Sequence, residues 1–458
     1  MENFWDSSVW GTYLIIGILL LSLLAGNVLK RKIRLLQESL IPTSVLGGAL
    51  LLIISSIYRV ITGSNMFDAD IFAGRGTATM EILTYHCLAM GFIASSFKTS
   101  ENKLTKQRTV EIFNTGVTTV ATYLLQAVVG FGITIVAAFV IQDFFPAAGV
   151  LLPFGYGQGT GQALNYGGIY ENDFGFVGGK SFGLTIAALG FLSAAIGGVF
   201  HLNIRKKSGK LKPVHKKHVL QAEEIESANE IPMQESIDKM TVQVALIAAA
   251  YLLTYVLMYL LGLVIPGMKS VIYGFNFLLG VLSATLMKLF LNWLRKSGIG
   301  HQEYVNNFLM TRTSNFFFDL MVVAGVAAIR LDTLEQYWGI MLILGVVGAV
   351  ITYVYLRIVC TKLFPEYPEE EFLMMYGMLT GTASTGTILL REIDGDFKTP
   401  AADNMVYQNF PAIVFGFPLM LLATLAPVKP YLTFALLAVF MVVMNVILFR
   451  SFIFKRKK

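Results

Sequence analysis

The chain is 458 residues long, 55% hydrophobic and only 14% charged, with a formal net charge of +6. A soluble chain carries about a quarter charged residues, so the composition argues against a large water-soluble protein. The basic excess falls between apolar runs and gives no ground for nucleic-acid binding. The two cysteines, Cys87 and Cys360, both sit inside apolar runs and offer no disulfide framework.

The N-terminus, MENFWDSSVW, is acidic and aromatic. It lacks the basic region and small-residue cleavage pattern of a signal peptide, so the first apolar run is expected to stay as a span. Apolar runs of roughly 20 residues match the hydrocarbon core of a bilayer. They predict spans at about 8–29, 40–60, 78–97, 112–141 and 178–203. After a polar loop they predict further spans at about 241–263, 270–291, 308–329, 338–361, 404–425 and 430–453. The expected fold class is an all-α polytopic membrane protein with eleven spans. Residues 146–170 and 371–395 stand apart, being moderately apolar but rich in Gly, Thr and Ser.

Lysine and arginine placement sets the orientation. With the N-terminus outside, the inner loops hold Lys30, Arg31, Lys32 and Arg34, then Lys98, Lys103, Lys106 and Arg108. The central RKKSGKLKPVHKKH (205–218) and the tail FKRKK also fall inside, leaving the outer side only Arg59, Arg75, Lys180, Lys269, Arg330 and Lys429. The expectation is a multi-pass protein of the cytoplasmic membrane with a cytoplasmic C-terminus. The central loop, 205–240, is basic and then acidic; it reads as a solvated linker, or as a lipid-binding polybasic segment.

The linker divides the chain into a first repeat at 1–204 and a second at 241–425, with residues 426–458 forming an extra span and a basic tail. Each repeat has five spans and places its irregular segment between the fourth and fifth. GYGQGTGQAL (155–164) corresponds to TGTASTGTIL (380–389), with Thr160-Gly161 aligned to Thr385-Gly386. Five is an odd number, so the second repeat enters from the opposite side and the two are inverted. Glycine clusters weaken a helix and expose backbone groups, which cost several kcal/mol each in lipid. Such backbone belongs where protein or a water-filled cavity covers it, and matched interruptions in two halves point to a transporter binding site. The two segments are therefore expected to be re-entrant hairpins. Broken helix N-termini favour an anion, and free carbonyls can hold sodium. Candidate binding residues are Gly157, Gln158, Gly159, Thr160 and Gly161 in the first segment, with Asn165 at its exit. In the second they are Gly381, Thr382, Ser384, Thr385, Gly386 and Thr387. Sodium is expected near Gly155, Gly157, Thr380, Ala383 and Ser384. GFLSAAIGG (190–198) reads instead as a small-residue surface for close helix packing.

At these residues the chain resembles the bacterial sodium:glutamate symporter family. IPTSVLGGALL (41–51) is similar to its Ile-Pro and Gly-Gly second span, GQGTGQA (157–163) to its Gly-x-Gly-Thr signature, and FGLTIAALGFLSAAIGG (182–198) to the span that follows. The resemblance covers about residues 10–425. It implies sodium-coupled uptake of an amino-acid dicarboxylate, two inverted five-span repeats, a homodimer and an elevator-type motion. Gly157, Gly159 and Thr160 match the first signature, and Gly381, Thr385 and Gly386 correspond to the second. Gln158 stands where the family usually has histidine, and TASTGT replaces a glycine-rich second signature.

Several other residues are candidates. Asp319 lies inside a predicted span, two helical turns after Arg312, and is a cation ligand, a proton site or half of a charge pair. Arg391 could pair with a substrate carboxylate or mark the inner surface. Gln408 precedes Pro411 in a helix that the proline would kink. Glu81 reads as an interfacial residue and His86 as a hydrogen-bonded packing residue. No HExxH, CxxC pair, Walker loop or GxSxG occurs, so the chain is not expected to be an enzyme. The expected function is sodium symport of a small anionic amino acid, most simply glutamate, with partners limited to lipid, solute, sodium and a second copy, and with no cofactor beyond the coupling ion. The rivals are a proton-coupled transporter or exchanger of another organic anion using Asp319, and a channel.

Overall fold

The computed structural model describes residues 3–98, 105–207, 237–298, 303–395 and 398–453. Most of the central linker (208–236) and the basic tail (454–458) lie outside the described residues. Among the described residues every regular element is a helix. The first half contains α1 (Ser7–Lys32), α2 (Thr43–Thr62), α3 (Gly76–Phe97), α4 (Lys106–Val140), α5 (Leu151–Tyr156), α6 (Gly159–Phe174) and α7 (Gly179–Lys207). The second half contains α8 (Lys239–Val264), α9 (Asn276–Lys296), α10 (Asn307–Ala327) and α11 (Trp338–Leu363). It continues with α12 (Pro368–Thr380), α13 (Ala383–Arg391), α14 (Ala401–Tyr407), α15 (Asn409–Leu425) and α16 (Pro430–Leu448).

All eleven expected spans coincide with helices, but fewer have the length and apolarity to cross a bilayer unaided. Eight of the described helices do, and α14 with α15 makes a ninth if the pair counts as one span. α3 and α10 fall short because Thr77, Glu81, Thr84 and His86 punctuate one, and Thr311-Arg312-Thr313-Ser314-Asn315 opens the other. The α14–α15 pair bends by 51° at Gln408. Pro411 has no N–H for the Tyr407 carbonyl, and its ring crowds that carbonyl, so the bend lies where the proline removes a helical bond.

The chain forms two compact units, each drawing on both halves of the sequence. The larger comprises residues 1–81, 104–217 and 322–458; the smaller comprises 82–103 and 218–321. In the smaller unit α8 packs against α9 over Ile93, Ala94, Phe97, Ile247, Ala250, Ala284 and Met310. His86 is a hydrogen-bonded packing residue, its Nδ1 lying 2.6 Å from the Tyr251 hydroxyl.

The 35-residue α4 is the axis of the larger unit and packs against α5, α11, α12, α14, α15 and α16. Thr115, Thr118, Thr119 and Thr122 lie buried along it, each hydroxyl within 3.1 Å of the carbonyl four residues earlier. This back-bonding lets an apolar helix carry hydroxyls without orphaned protons. α7 meets α6 on one side and α12 on another. The expectation for GFLSAAIGG holds: a Cβ at Gly190 would collide with the Thr380 carbonyl, and one at Gly198 with the Leu389 side chain.

That contact predicts a contrast between two glycines in long helices. Gly190→Ala should destabilise the protein by about 1–3 kcal/mol, the usual cost of overpacking. Gly339→Ala, where an added Cβ meets nothing within 4 Å, should be neutral or stabilising by up to about 1 kcal/mol. Thermal unfolding of both variants in detergent checks this, and equal effects would show that Gly190 is not a packing contact.

Candidate functional site

Besides the α14–α15 bend, two glycine-containing breaks interrupt helices of the larger unit among the described residues. α5 ends at Tyr156, and Gly157 caps it by donating its N–H to the Pro153 carbonyl at 2.9 Å. Gln158 follows without a side-chain cap, and Gly159 opens α6 at φ +79°, a left-handed backbone that favours glycine. The second break separates α12 from α13. Thr380 ends α12, Gly381 caps it, and Thr382 is extended, its hydroxyl accepting the Thr385 N–H at 3.5 Å. The Thr382 and Thr385 hydroxyls lie 3.3 Å apart.

The two breaks meet. A side chain at Gly159 would begin 3.4 Å from Thr382 Cγ2 and 3.7 Å from the Gly381 carbonyl oxygen. One face of α4 reaches both. Tyr123 donates its hydroxyl to the Gly157 carbonyl at 3.0 Å. One turn later Gln126 Nε2 donates to the Leu379 carbonyl at 3.0 Å and to Thr352 Oγ1 at 2.9 Å. Carbonyls that a continuous helix would satisfy internally are thus taken by side chains of a neighbouring helix.

Of the buried side-chain atoms that lack hydrogen-bond partners among the described residues, two are amide atoms of residues at the breaks, Gln126 Oε1 and Gln162 Nε2. Gln162 Oε1 accepts from Asn165 Nδ2 at 3.2 Å. An orphaned buried amide group costs about 1–3 kcal/mol, so a polar ligand placed beside the breaks would recover that penalty. Gln408, at the α14–α15 bend, accepts at Oε1 from Thr119 at 3.0 Å and donates from Nε2 to Asn409 Oδ1 at 3.1 Å.

Of the residues expected from the sequence, Gly157, Gly159, Gly381, Thr382 and Thr385 come together at the junction. Thr160 is wholly buried next to them, facing Gly325 across a close contact. Gly155 lies within α5 and Gly161 within α6, both buried. Ala383 is exposed and Ser384 partly buried on the first turn of α13. Gly386 packs closely on α12, where a Cβ at Gly377 would meet its Cα at 2.7 Å. Thr387 donates to the Ala383 carbonyl at 3.0 Å. Arg391 ends α13, exposed, about 12 Å along the axis from the break at 1.5 Å per residue. Asp319 belongs to the smaller unit and is exposed on α10. Glu81 pairs with Lys180 at 2.9 Å.

Tyr123, Gln126 and Thr352 were not singled out from the sequence. A pattern that finds two of them is present: Thr115, Thr119, Tyr123 and Gln126 recur at helical spacing in an otherwise apolar segment. No protein-family model matches this chain, and no curated protein shows significant similarity to it.

The α4 contacts predict a stability effect. Gln126→Leu removes both donated bonds and leaves the Leu379 carbonyl bare, so it should cost about 1–3 kcal/mol. Tyr123→Phe removes one hydroxyl and should cost about 0.5–1.5 kcal/mol. Denaturation in detergent measures both, and a Gln126→Leu protein as stable as the parent would mean that α4 does not hold the second break.

Proposed function

We propose that the protein is a secondary active transporter that couples sodium entry to uptake of a small anionic amino acid, with glutamate the first candidate. The observation that carries the reading is the meeting of two helix breaks, one from each half of the sequence, with two unpartnered buried amide atoms nearby. Long apolar helices compatible with a polytopic membrane protein are its setting. In this reading the two broken pairs are the re-entrant hairpins of two inverted repeats.

The chemistry at the junction suits an anion and a monovalent cation. α6 and α13 both begin at the breaks, and helix N-termini direct partial positive charge and free N–H groups at an anion. The Thr160, Thr382 and Thr385 hydroxyls supply further donors for a carboxylate. The Gly157 and Leu379 carbonyls and Gln126 Oε1 are neutral oxygens of the kind that hold sodium at unwound helices. A division into two compact units, only one of which contains the breaks, supports an elevator-type alternating-access cycle. The orientation that follows from the basic loops, with the N-terminus outside a cytoplasmic membrane, and the homodimer belong to the same proposal.

Proteoliposomes of the purified protein should accumulate radiolabelled glutamate when given an inward sodium gradient, and not without one. Thr160→Val and Thr385→Val should each reduce sodium-dependent uptake at least tenfold if a hydroxyl contact to a charged group is lost, which corresponds to about 1.4 kcal/mol. Retention of both uptake and sodium dependence in the two variants would refute the site. Proton-dependent uptake abolished by Asp319→Asn would favour the rival coupling through that residue.

A further inference from the structure

Three glutamates open α12, and they have different surroundings. Glu369 is surrounded by positive or donating groups: Arg357 Nη2 at 2.8 Å, His201 Nε2 at 2.8 Å and Arg205 Nε at 3.3 Å. Glu370 is partly buried. Glu371 is wholly buried and forms no ion pair among the described residues. Its contacts are neutral. Thr115 Oγ1 of α4 lies 2.8 Å from its Oε1, and Asn404 Nδ2 of α14 lies 3.1 Å from its Oε2.

Burying an isolated carboxylate is far more costly than burying the neutral acid. The hydrogen-bond pattern accommodates the acid. Thr115 has one hydroxyl proton, yet its oxygen lies 3.0 Å from the Glu111 carbonyl and 2.8 Å from Glu371. With Glu371 protonated, the acid donates to Thr115 and Thr115 donates to the Glu111 carbonyl, so both contacts are hydrogen bonds. With Glu371 ionised, both neighbours of Thr115 are acceptors and share its one proton, as the Thr115 carbonyl and Gln408 Oε1 share that of Thr119. On the other side Asn404 Nδ2 carries two protons, one for Glu371 Oε2 and one for the Tyr367 hydroxyl at 3.1 Å, while its Oδ1 is buried without a partner among the described residues. Tyr367 in turn donates to Glu111 Oε2 at 2.9 Å.

The charges around Glu371 do not offset it. On α4, Arg108 is spent on Glu111 at 2.5 Å, with Asp403 of α14 4.0 Å away. α11 contributes the Cys360 thiol and, against Glu369, Arg357. α7 contributes His201 and Arg205, both held by Glu369. Beyond Asn404 and Tyr367 lies a cavity of about 430 Å³ lined by Glu111, Tyr367, Lys106 and Asn114, roomy enough for water.

We propose that Glu371 is a proton-binding site, occupied at neutral pH and supplied from the cavity beside Tyr367 and Glu111, whose proton fixes the start of α12 against α4 and α14. The far end of α12 is the second helix break, so proton occupancy is linked to the junction through one rigid helix. That linkage rests on reading the junction as a binding site; the protonation does not.

Burial is the main cause that raises the Glu371 carboxyl, to about 8. Its affinity for the proton is therefore higher in the folded than in the unfolded chain, where a carboxyl titrates near 4.3. The folded state binds more protons between these values, so stability from this group is full below about 4 and declines as pH rises through about 8.

The test uses full-length protein in detergent. Infrared spectra at neutral pH, wild type minus Glu371→Gln, should contain the carbonyl stretch of a protonated carboxylic acid, and that band should titrate away in the wild type as pH passes about 8. Glu371→Gln should fold, because its amide can donate to Thr115 and accept from Asn404 as the acid does. The wild-type unfolding temperature should fall between about pH 5 and pH 9, and the fall should be smaller in the variant. Absence of a protonated carboxyl in the wild type at neutral pH would overturn the proposal, and that measurement needs no variant. A band that survives Glu371→Gln would assign the proton elsewhere, and an identical pH profile of unfolding in both proteins would remove its role in seating α12. None of these readouts depends on transport, so a failed glutamate assay and a failed proton site are separate results.

Discussion

One face of α4 holds the larger unit together where its backbone is broken. Thr115, Thr119, Tyr123 and Gln126 follow one another at intervals of four, four and three residues, so they line one side of the helix over about 16 Å. Each meets a different irregularity. Thr115 contacts the buried acid Glu371. Thr119 donates to Gln408 at the α14–α15 bend. Tyr123 takes the Gly157 carbonyl at the first break, and Gln126 the Leu379 carbonyl at the second. A backbone carbonyl released from a helix in an apolar interior must find a donor or pay its desolvation. The stripe supplies those donors from an unbroken helix, so the breaks persist without melting their neighbours.

Close approach is the complementary constraint. Side-chain donors reach the breaks only if the broken pairs pack tightly on the helices behind them. α7 permits this with Gly190, Gly197 and Gly198, which face the Thr380 carbonyl, Tyr376 and Leu389 of the second pair. Gly377 and Gly386 allow α12 and α13 to touch backbone to backbone. Small residues create the proximity, and polar residues on α4 then satisfy what the break exposes.

The breaks themselves were legible in the sequence, because GYGQGTG and TGTASTG combine conformational freedom with hydroxyls in an apolar chain. The helices were legible too, from apolar runs of bilayer length. The capacity of each to cross a membrane was less so: Thr77, Glu81 and His86, and the polar start of α10, reduce eleven apparent spans to eight or nine apolar ones. Asp319 drew notice as an acid in an apolar run, yet it is exposed on α10 in the smaller unit. Glu371 drew none, because a row of three glutamates reads as a solvated helix start. Successive residues on a helix point about 100° apart, so one glutamate of the row meets arginines while another is buried among neutral groups. Of the partners that distinguish them, Thr115 and His201 lie more than 150 residues away in sequence, on α4 and α7, and Arg357 and Asn404 lie on α11 and α14. No local pattern contains that information.

Helix α12 joins the two kinds of chemistry. Its first turn is seated by a buried carboxyl that meets only the neutral groups of Thr115 and Asn404, and its last turn delivers the Leu379 carbonyl to Gln126. Thirteen residues of helix lie between its ends, too short to bend smoothly, and α4 contacts it at both. A change at either end therefore moves or strains the other rather than dissipating between them. Packed interfaces of this kind switch between discrete arrangements more readily than they deform continuously. Coupling demands a two-state element that both sites bias. α12 carries the proposed proton site at one end and the helix break at the other, and α4 contacts it at both.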